Sequence, residues 1–373
     1  MEELFLTLLF LSVYPYGIYP AVVYGMSRLF SDVWCKGVVR PSVTIIISVY
    51  NEEKGIGEKI KNTLSLEYPQ ELLEILVISD GSTDKTNEIV SGIKDPRLIL
   101  RFFSERSGKT ACLNRVVPDA KGDIILFTDA NSIFPSDVLF KLVRNFYDQD
   151  VGSVTGWTKY VEEGKKKETT GIYSWLEMQT KYWESLISSC VGADGAIFAI
   201  RKSLYKPLDA QDINDFVIPL HVLRQGKRVV LDPEIYCFEN LSKGQGDEFR
   251  RQTRITNRTL RAILRHPRFL NPFSYGAFSF FLFSHKLLRF LVPFFIAGAF
   301  IVNLLLLNNS MMYVGFLFIQ LLLLGLGLVN LMGKLEGRLT NLCKIFLITL
   351  FAQFTGWIRR FRGISDTTWT PQR

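Results

Sequence analysis

The stretch GDIILFTDANSIFPSD, residues 122–137, decides the fold. Ile124 to Phe127 form a continuous apolar run, and Thr128, Asp129 and Asn131 follow at once. Oxygen-bearing side chains at Asp129 and Asn131, one residue apart, suit a hard cation and equally suit a polar turn. The neighbouring runs bear on the choice. VTIIISV (43–49), LEILVIS (73–79) and RLILRFF (97–103) have the same texture, separated by polar segments long enough for crossover helices. Runs apolar on both faces, spaced this way, predict an α/β fold with a mostly parallel sheet covered on both sides. Ligands of such sheets gather at the carboxyl ends of the strands. Polar residues stand at those ends: YNEE with Asn51 and Glu52, DGSTD with Asp80, and TDAN with Asp129 and Asn131.

The apolar residues of the 373-residue chain are unevenly spread, dense over 4–30 and again after 273. That pattern reads as a soluble domain tethered between membrane segments. Residues 4–26 are long enough to span a bilayer, with kinks expected at Pro15 and Pro20. Arg28, Lys36 and Arg40 follow, so the positive-inside rule puts the next domain in the cytoplasm. Further spans are expected near 287–307 and 311–332. The last apolar run, Ile345 to Trp357, is short for a crossing and reads as interfacial or re-entrant, with a fourth span as the alternative. The five cysteines show no paired spacing, which predicts reduced thiols. Three scattered histidines argue against zinc, leaving oxygen ligands for any metal.

The formal charge of +8 suits nucleic acid or anionic membrane and phosphate. Arg250, Arg254, Arg258, Arg261 and Arg265 are spaced to stack on one helical face, with Phe249, Leu260, Ile263 and Leu264 roughly opposite. A basic amphipathic helix beside an apolar span predicts a headgroup-level helix and no nucleic-acid partner.

Asp80 ends a strand before Gly81, where a ligand can approach the backbone, and can accept hydrogen bonds from a base or ribose; Thr83 or Asp84 then caps the next helix. Asp129 and Asn131 are candidate ligands for Mg²⁺ or Mn²⁺, which would offset charge on a departing diphosphate. Asp215, with Asp212 as rival, can take a proton from an attacking hydroxyl. Arg251 and Arg254 can reach a diphosphate through forked contacts. No Walker-type loop and no G-x-G-x-x-G after a strand occurs.

TIIISVYNEE, LVISDGSTDKT, GKTACLN, FTDAN, GADGAIFAIRKSLY, DINDF and RRQTRI follow one another in the order seen in family 2 glycosyltransferases. Over residues 40–260 the chain resembles their membrane-bound members, similar to hyaluronan, chitin and cellulose synthases and bacterial exopolysaccharide enzymes. The resemblance implies a GT-A, Rossmann-like nucleotide-diphospho-sugar transferase domain between N- and C-terminal transmembrane helices, and an inverting transfer. It implies that Asn51, Glu52, Asp80, Lys109, Asn114, Asp129, Arg251 and Arg254 bind the nucleotide. Asp129 and Asn131 would hold the metal, Asp194 and Gly195 would lie near donor sugar and acceptor, and Asp215 would be the general base. Trp369 falls where some synthases carry a loop that closes over the nucleotide.

Three departures stand out. The usual acidic pair is Asn214-Asp215 here, the second metal carboxylate is Asn131, and Arg251-Gln252-Thr253-Arg254-Ile255 lacks the tryptophan of processive synthases. Single transfer to a lipid-linked acceptor is therefore as well supported as polymer synthesis.

The expected layout is a membrane helix at 1–30, a cytoplasmic catalytic domain at 40–245 and interfacial helices at 246–285. Two spans follow at 286–335, then a final helix with a basic tail at 339–373. The expected partners are a nucleotide-sugar (a UDP-sugar), a lipid-linked or polysaccharide acceptor and the bilayer, with room for a homo-oligomer or export partners. The alternative is a catalytically inactive assembly protein of a polysaccharide pathway.

Overall fold

The structure is a computed structural model that describes residues 1–161, 171–240, 245–335 and 337–364. The described residues fall into two units: one holds 23–161, 171–240 and 272–278, the other 1–22, 245–271, 279–335 and 337–364.

The first unit is built on seven strands: β1 (Val43–Val49), β2 (Leu73–Asp80), β3 (Leu98–Phe103), β4 (Ile124–Asp129), β5 (Val151–Val161), β6 (Phe198–Arg201) and β7 (Arg228–Asn240). Their order is β3-β2-β1-β4-β6-β5-β7. β1 is parallel to both β2 and β4, and β2 to β3. The expected parallel half is therefore present, within a residue of the expected boundaries. The other half departs from expectation, because β6 runs antiparallel to both β4 and β5. β6 is only four residues long, and the chain reaches it from β5 through the helix Ile172–Ile187 and then a glycine-rich turn that sets it antiparallel to both neighbours.

Ile45, Ile47, Ile125 and Leu126 have no solvent exposure, as strands covered on both faces require. Helices supply the cover. α1 (Glu2–Leu29) leads into the domain. It is followed by α2 (Ile56–Leu64), α3 (Thr86–Gly92), α4 (Lys109–Val116), α5 (Val138–Val143), α6 (Ile172–Ile187) and α7 (Asn214–Arg224).

The segment after α1 is clamped to the sheet. The Trp34 indole donates to Asn145 Oδ1 at 2.6 Å, and Lys36 pairs with Asp232 at 2.9 Å. Arg144 and Asn145 also donate to the buried Asp232 carboxylate, at 3.0 and 3.1 Å. Cys35 sits exposed between Trp34 and Lys36, and all five cysteines are free thiols.

The second unit contains α8 (Gln245–Arg265), all but the first two residues of α9 (Ala277–Leu306), α10 (Met311–Leu331) and α11 (Arg338–Phe361), with the first part of α1. α1, α9, α10 and α11 are long and apolar enough to cross a membrane by length and composition. Pro15 sits at the start of a π-helical turn, Tyr14–Ile18, and Pro20 follows two residues beyond it. α9 begins about ten residues earlier than the span read from sequence, its first turns including a π-helical segment at Leu282–Leu287.

α11 is longer than the last apolar run. The helix extends past Ile345 and Trp357 at both ends to 24 residues, about 36 Å at 1.5 Å per residue. Length therefore no longer argues against a crossing.

Small residues set the packing, as is usual between apolar helices. A Cβ at Gly356 would lie 2.7 Å from Thr256 Cγ2, so the glycine lets α11 lie against α8. The buried face of α8 consequently carries Thr253, Thr256 and Asn257 beside Leu260 and Ile263, while Leu264 is 48% exposed. The apolar stripe expected there is thus half polar.

A methyl group at Gly122, just before β4, would fall on the backbone nitrogen of Thr44 in β1. Backbone cannot rotate away, so Gly122→Ala is expected to destabilise the first unit by about 1–3 kcal/mol. A lowered thermal unfolding midpoint in detergent checks this.

Candidate active site

The carboxyl ends of β1 and β2 are knitted together. Asn51 has a left-handed backbone (φ 53°), which asparagine tolerates better than most residues, and its Oδ1 accepts from the Thr83 N–H at 2.7 Å. The Glu52 N–H donates to Thr86 Oγ1 at 2.8 Å, and Asp84 Oδ1 accepts from the Thr86 N–H at 3.0 Å, at the start of α3. Asp84 thus satisfies the first N–H of α3 from the residue before its N-cap, Lys85.

Asp80 is 8% exposed and accepts from the backbone N–H groups of Ser107 and Gly108, at 2.7 and 2.9 Å. The carboxylate ties the end of β2 to the turn that opens α4. Cys112 Sγ lies 3.4 Å away, and burial pushes its thiol up to about 12. Arg106, from the same turn, lays its guanidinium 3.8 Å from the centre of the Tyr50 ring. Its Nε is buried and makes no hydrogen bond among the described residues.

Asp129 ends β4 and pairs with Lys109 Nζ, from the first turn of α4, at 2.7 Å. Both side chains keep exposure, 35% and 23%, so the pair faces the rim and adds little stability. Asn131 is exposed two residues on. Among the described residues no three histidine, cysteine or acidic side chains cluster as a ready-made metal cage. One carboxylate and one carboxamide, both oxygen donors at an open strand end, fit a hard cation that takes its other ligands from a diphosphate and water.

Asp194 and Gly195 form the turn before β6. Asp194 accepts from the Thr158 and Ala196 N–H groups at 2.9 and 3.0 Å, stapling the turn to β5. Burial raises its pKa, against the Ala196 N–H, Lys181 and Thr158. Gly195 meets the candidate base: a Cβ there would lie 2.9 Å from Asp215 Oδ2. Asp215 stands in the first turn of α7, where the helix dipole favours a carboxylate.

Pro219 lies four residues further on inside α7, and with no N–H it leaves the Asp215 carbonyl without its helical donor. The Ala193 N–H donates to that carbonyl instead, at 2.8 Å. A gap in the helix ladder is what docks the glycine turn onto α7. The rival Asp212 is engaged elsewhere, its Oδ2 accepting from the Asp209 N–H at 2.9 Å.

Residues 44–208 match the family Glycosyl transferase family 2. They are a family 2 glycosyltransferase domain. The chain is 37% identical over 118 residues to a beta-monoglucosyldiacylglycerol synthase of Nostoc, covering 31% of this chain and 25% of that one. It is 26% identical over 220 residues to the poly-beta-1,6-N-acetyl-D-glucosamine synthase of Staphylococcus aureus, covering 57% of this chain and 53% of that one. The chain thus spans a quarter to about half the length of these relatives. Among solved structures it is similar to a mannosyltransferase from Pyrobaculum calidifontis in complex with GDP-Man and Mn²⁺. That likeness has a TM-score of 0.72 at 21% identity and covers 96% of this chain and 99% of the other. The fold is GT-A-like, as the resemblance implied.

Within the family 2 domain the strand ends bring Asn51, Glu52, Asp80, Lys109 and Asp129 to the carboxyl side of the parallel strands. Asn114 supports the fold from α4: its Oδ1 accepts from the Tyr205 hydroxyl and Leu208 N–H at 2.8 and 2.9 Å, and its Nδ2 donates to the Leu208 carbonyl at 2.7 Å. Any support it gives a nucleotide passes through that connection. Arg251 and Arg254 lie on α8, in the other unit, where Arg251 forks onto Glu248 at 2.8 and 3.0 Å. Trp369 lies outside the described residues. Sequence reasoning missed Tyr50 and Arg106, although Tyr50 directly follows β1. It also missed Pro219, whose signal was a proline inside a helical run, one turn past Asp215.

Pro219→Ala restores a competing donor for the Asp215 carbonyl. The Ala193 amide is expected to exchange about fivefold faster with solvent deuterium, the equivalent of about 1 kcal/mol for one neutral hydrogen bond. Unchanged protection of Ala193 would separate Pro219 from the docking of the turn.

Proposed function

We propose that this chain is a metal-assisted, inverting glycosyltransferase, working at the cytoplasmic membrane face on a UDP-sugar and a lipid-linked or polysaccharide hydroxyl. What carries the reading is the meeting of Asp215 with Gly195 beside a strand rim that bears Asp80 and Asp129, in a family 2 domain.

The acceptor hydroxyl attacks the anomeric carbon while Asp215 takes its proton. The nucleoside diphosphate departs from the opposite face, and a single displacement inverts the centre. Gly195 lets the Asp215 carboxylate sit close against the turn, since a Cβ there would lie 2.9 Å from its Oδ2. Asp80 shapes the Ser107–Gly108 turn, and the Tyr50–Arg106 stack beside it offers a planar surface for the base. Lys109 brings positive charge to the diphosphate side at Asp129. Asp129 and Asn131 would hold Mg²⁺ or Mn²⁺, which supplies charge neutralisation for the leaving diphosphate.

Arg28 in the last turn of α1, with Lys36 and Arg40 after it, supports the cytoplasmic face. One relative is named for a glucosyldiacylglycerol and another for a polymer of N-acetylglucosamine, so mass analysis of the product distinguishes one added sugar from many.

Full-length protein in detergent, given a panel of nucleotide-sugars with Mn²⁺ or Mg²⁺, is expected to release nucleoside diphosphate, and a chelator to stop it. Asp215→Asn is expected to lower kcat by about 10²–10⁴-fold with the donor KM little changed. Full turnover by that variant removes Asp215 from the role of base. Release of no diphosphate from any donor overturns the enzymatic reading in favour of an assembly protein.

A further inference from the structure

The Asp129–Asn131 turn is held from beneath by a residue outside every motif quoted above. Lys59 stands in the middle of α2 with no solvent exposure. Its Nζ donates to the Ser132 carbonyl at 2.5 Å and contacts Thr128 Oγ1 at 3.0 Å, and lies 3.7 Å from the centre of the Phe134 ring. Thr128 and Ser132 bracket Asp129 and Asn131, so a single amine joins both ends of the turn. One helical turn later, Asn62 makes two hydrogen bonds to the Phe134 backbone, at 2.8 and 2.9 Å. On the far side Ile133 exchanges backbone hydrogen bonds with Phe238 of β7, at 2.9 and 2.8 Å, and Ser132 Oγ donates to Glu239 at 2.5 Å.

A fully buried lysine is a costly choice, because an aliphatic side chain of the same length would fill the space without a charge to desolvate. Burial drives its ammonium down to about 7, against the pull of Cys237 and Glu239 from β7 and Asp129 from β4. A residue kept at that cost at one end of the site is a candidate for function, not packing.

We propose that Lys59 is a positioning residue: its bridge from Thr128 to Ser132 fixes the Asp129–Asn131 turn, and thereby the affinity for a divalent cation together with a nucleoside diphosphate. This rests on the reading of Asp129 and Asn131 as the cation-side residues. Lys59 touches neither the cation nor the donor, so it sets how well they are held and not how fast the bond is made.

Lys59→Met keeps the length and removes the donor; Thr128→Val removes one contact at nearly constant shape. Hydrogen exchange on full-length protein without ligand is expected to show the Ile133 and Phe134 amides opening about tenfold faster in Lys59→Met, with the β1 amides of Ile45 to Ile47 unchanged. Calorimetry with UDP and Mn²⁺ is expected to show about tenfold weaker binding for Lys59→Met and a smaller loss for Thr128→Val. Turnover of Lys59→Met should return to within about twofold of the parent at saturating Mn²⁺, which a general loss of folded protein would not allow. Parent-like exchange and affinity in Lys59→Met overturn the proposal. If that variant also loses β1 protection, Thr128→Val decides, and parent-like behaviour there overturns it. Parent protein that binds UDP with no cation at all would instead overturn the reading of Asp129 and Asn131, while the exchange result still reports on the grip of Lys59.

Discussion

The site depends on how β1 is paired. Val43 stands opposite both Leu73 of β2 and Ile124 of β4, so three parallel strands start level and run in step. Ser48 then meets Ile78 on one side and Asp129 on the other. A slip of one residue in either pairing would turn every apolar side chain of a strand to the opposite face, and burial on both faces makes that slip expensive. Hydrophobic pairing therefore fixes where the polar strand ends go. Segments some thirty to eighty residues apart in sequence arrive at one rim because the apolar runs leave them no alternative.

The acidic groups at that rim divide into two kinds. Asp80, Asp194 and Asp212 spend their carboxylates on backbone N–H groups of nearby turns. Each such bond to a charged acceptor is worth more than a neutral one, which suits a carboxylate placed where a loop must be held still. Asp129 and Asp215 are different: one faces a lysine at an open strand end, the other packs closely against a glycine. The first group builds the rim, while Asp129 stands open on it and Asp215 is half-buried.

Much of this was legible in the sequence. Strands β1 to β4 fell within a residue of their boundaries because continuous apolar runs closed by polar residues are strong signals. The direction of β6 was not, since four residues after a glycine turn carry no signal of which way the chain returns. The final helix exceeded its apolar run because mixed residues such as Leu339, Thr340 and Ile358 continue the winding. Lys59 was invisible for a different reason. In sequence it is one lysine among many on an amphipathic helix, and only the tertiary packing of β4 and β7 shows that it points inward.

The thiols carry a practical corollary. Burial pushes Cys112 and Cys190 up to about 12 and Cys237 well above its usual range, so none forms a thiolate at neutral pH, and Cys343 is buried as well. Cys35 alone is exposed, and it sits on the clamped segment between Trp34 and Lys36. A maleimide dye should therefore mark the native chain at one rigid spot, giving a ready-made reporter for distance measurements without any cysteine being engineered away.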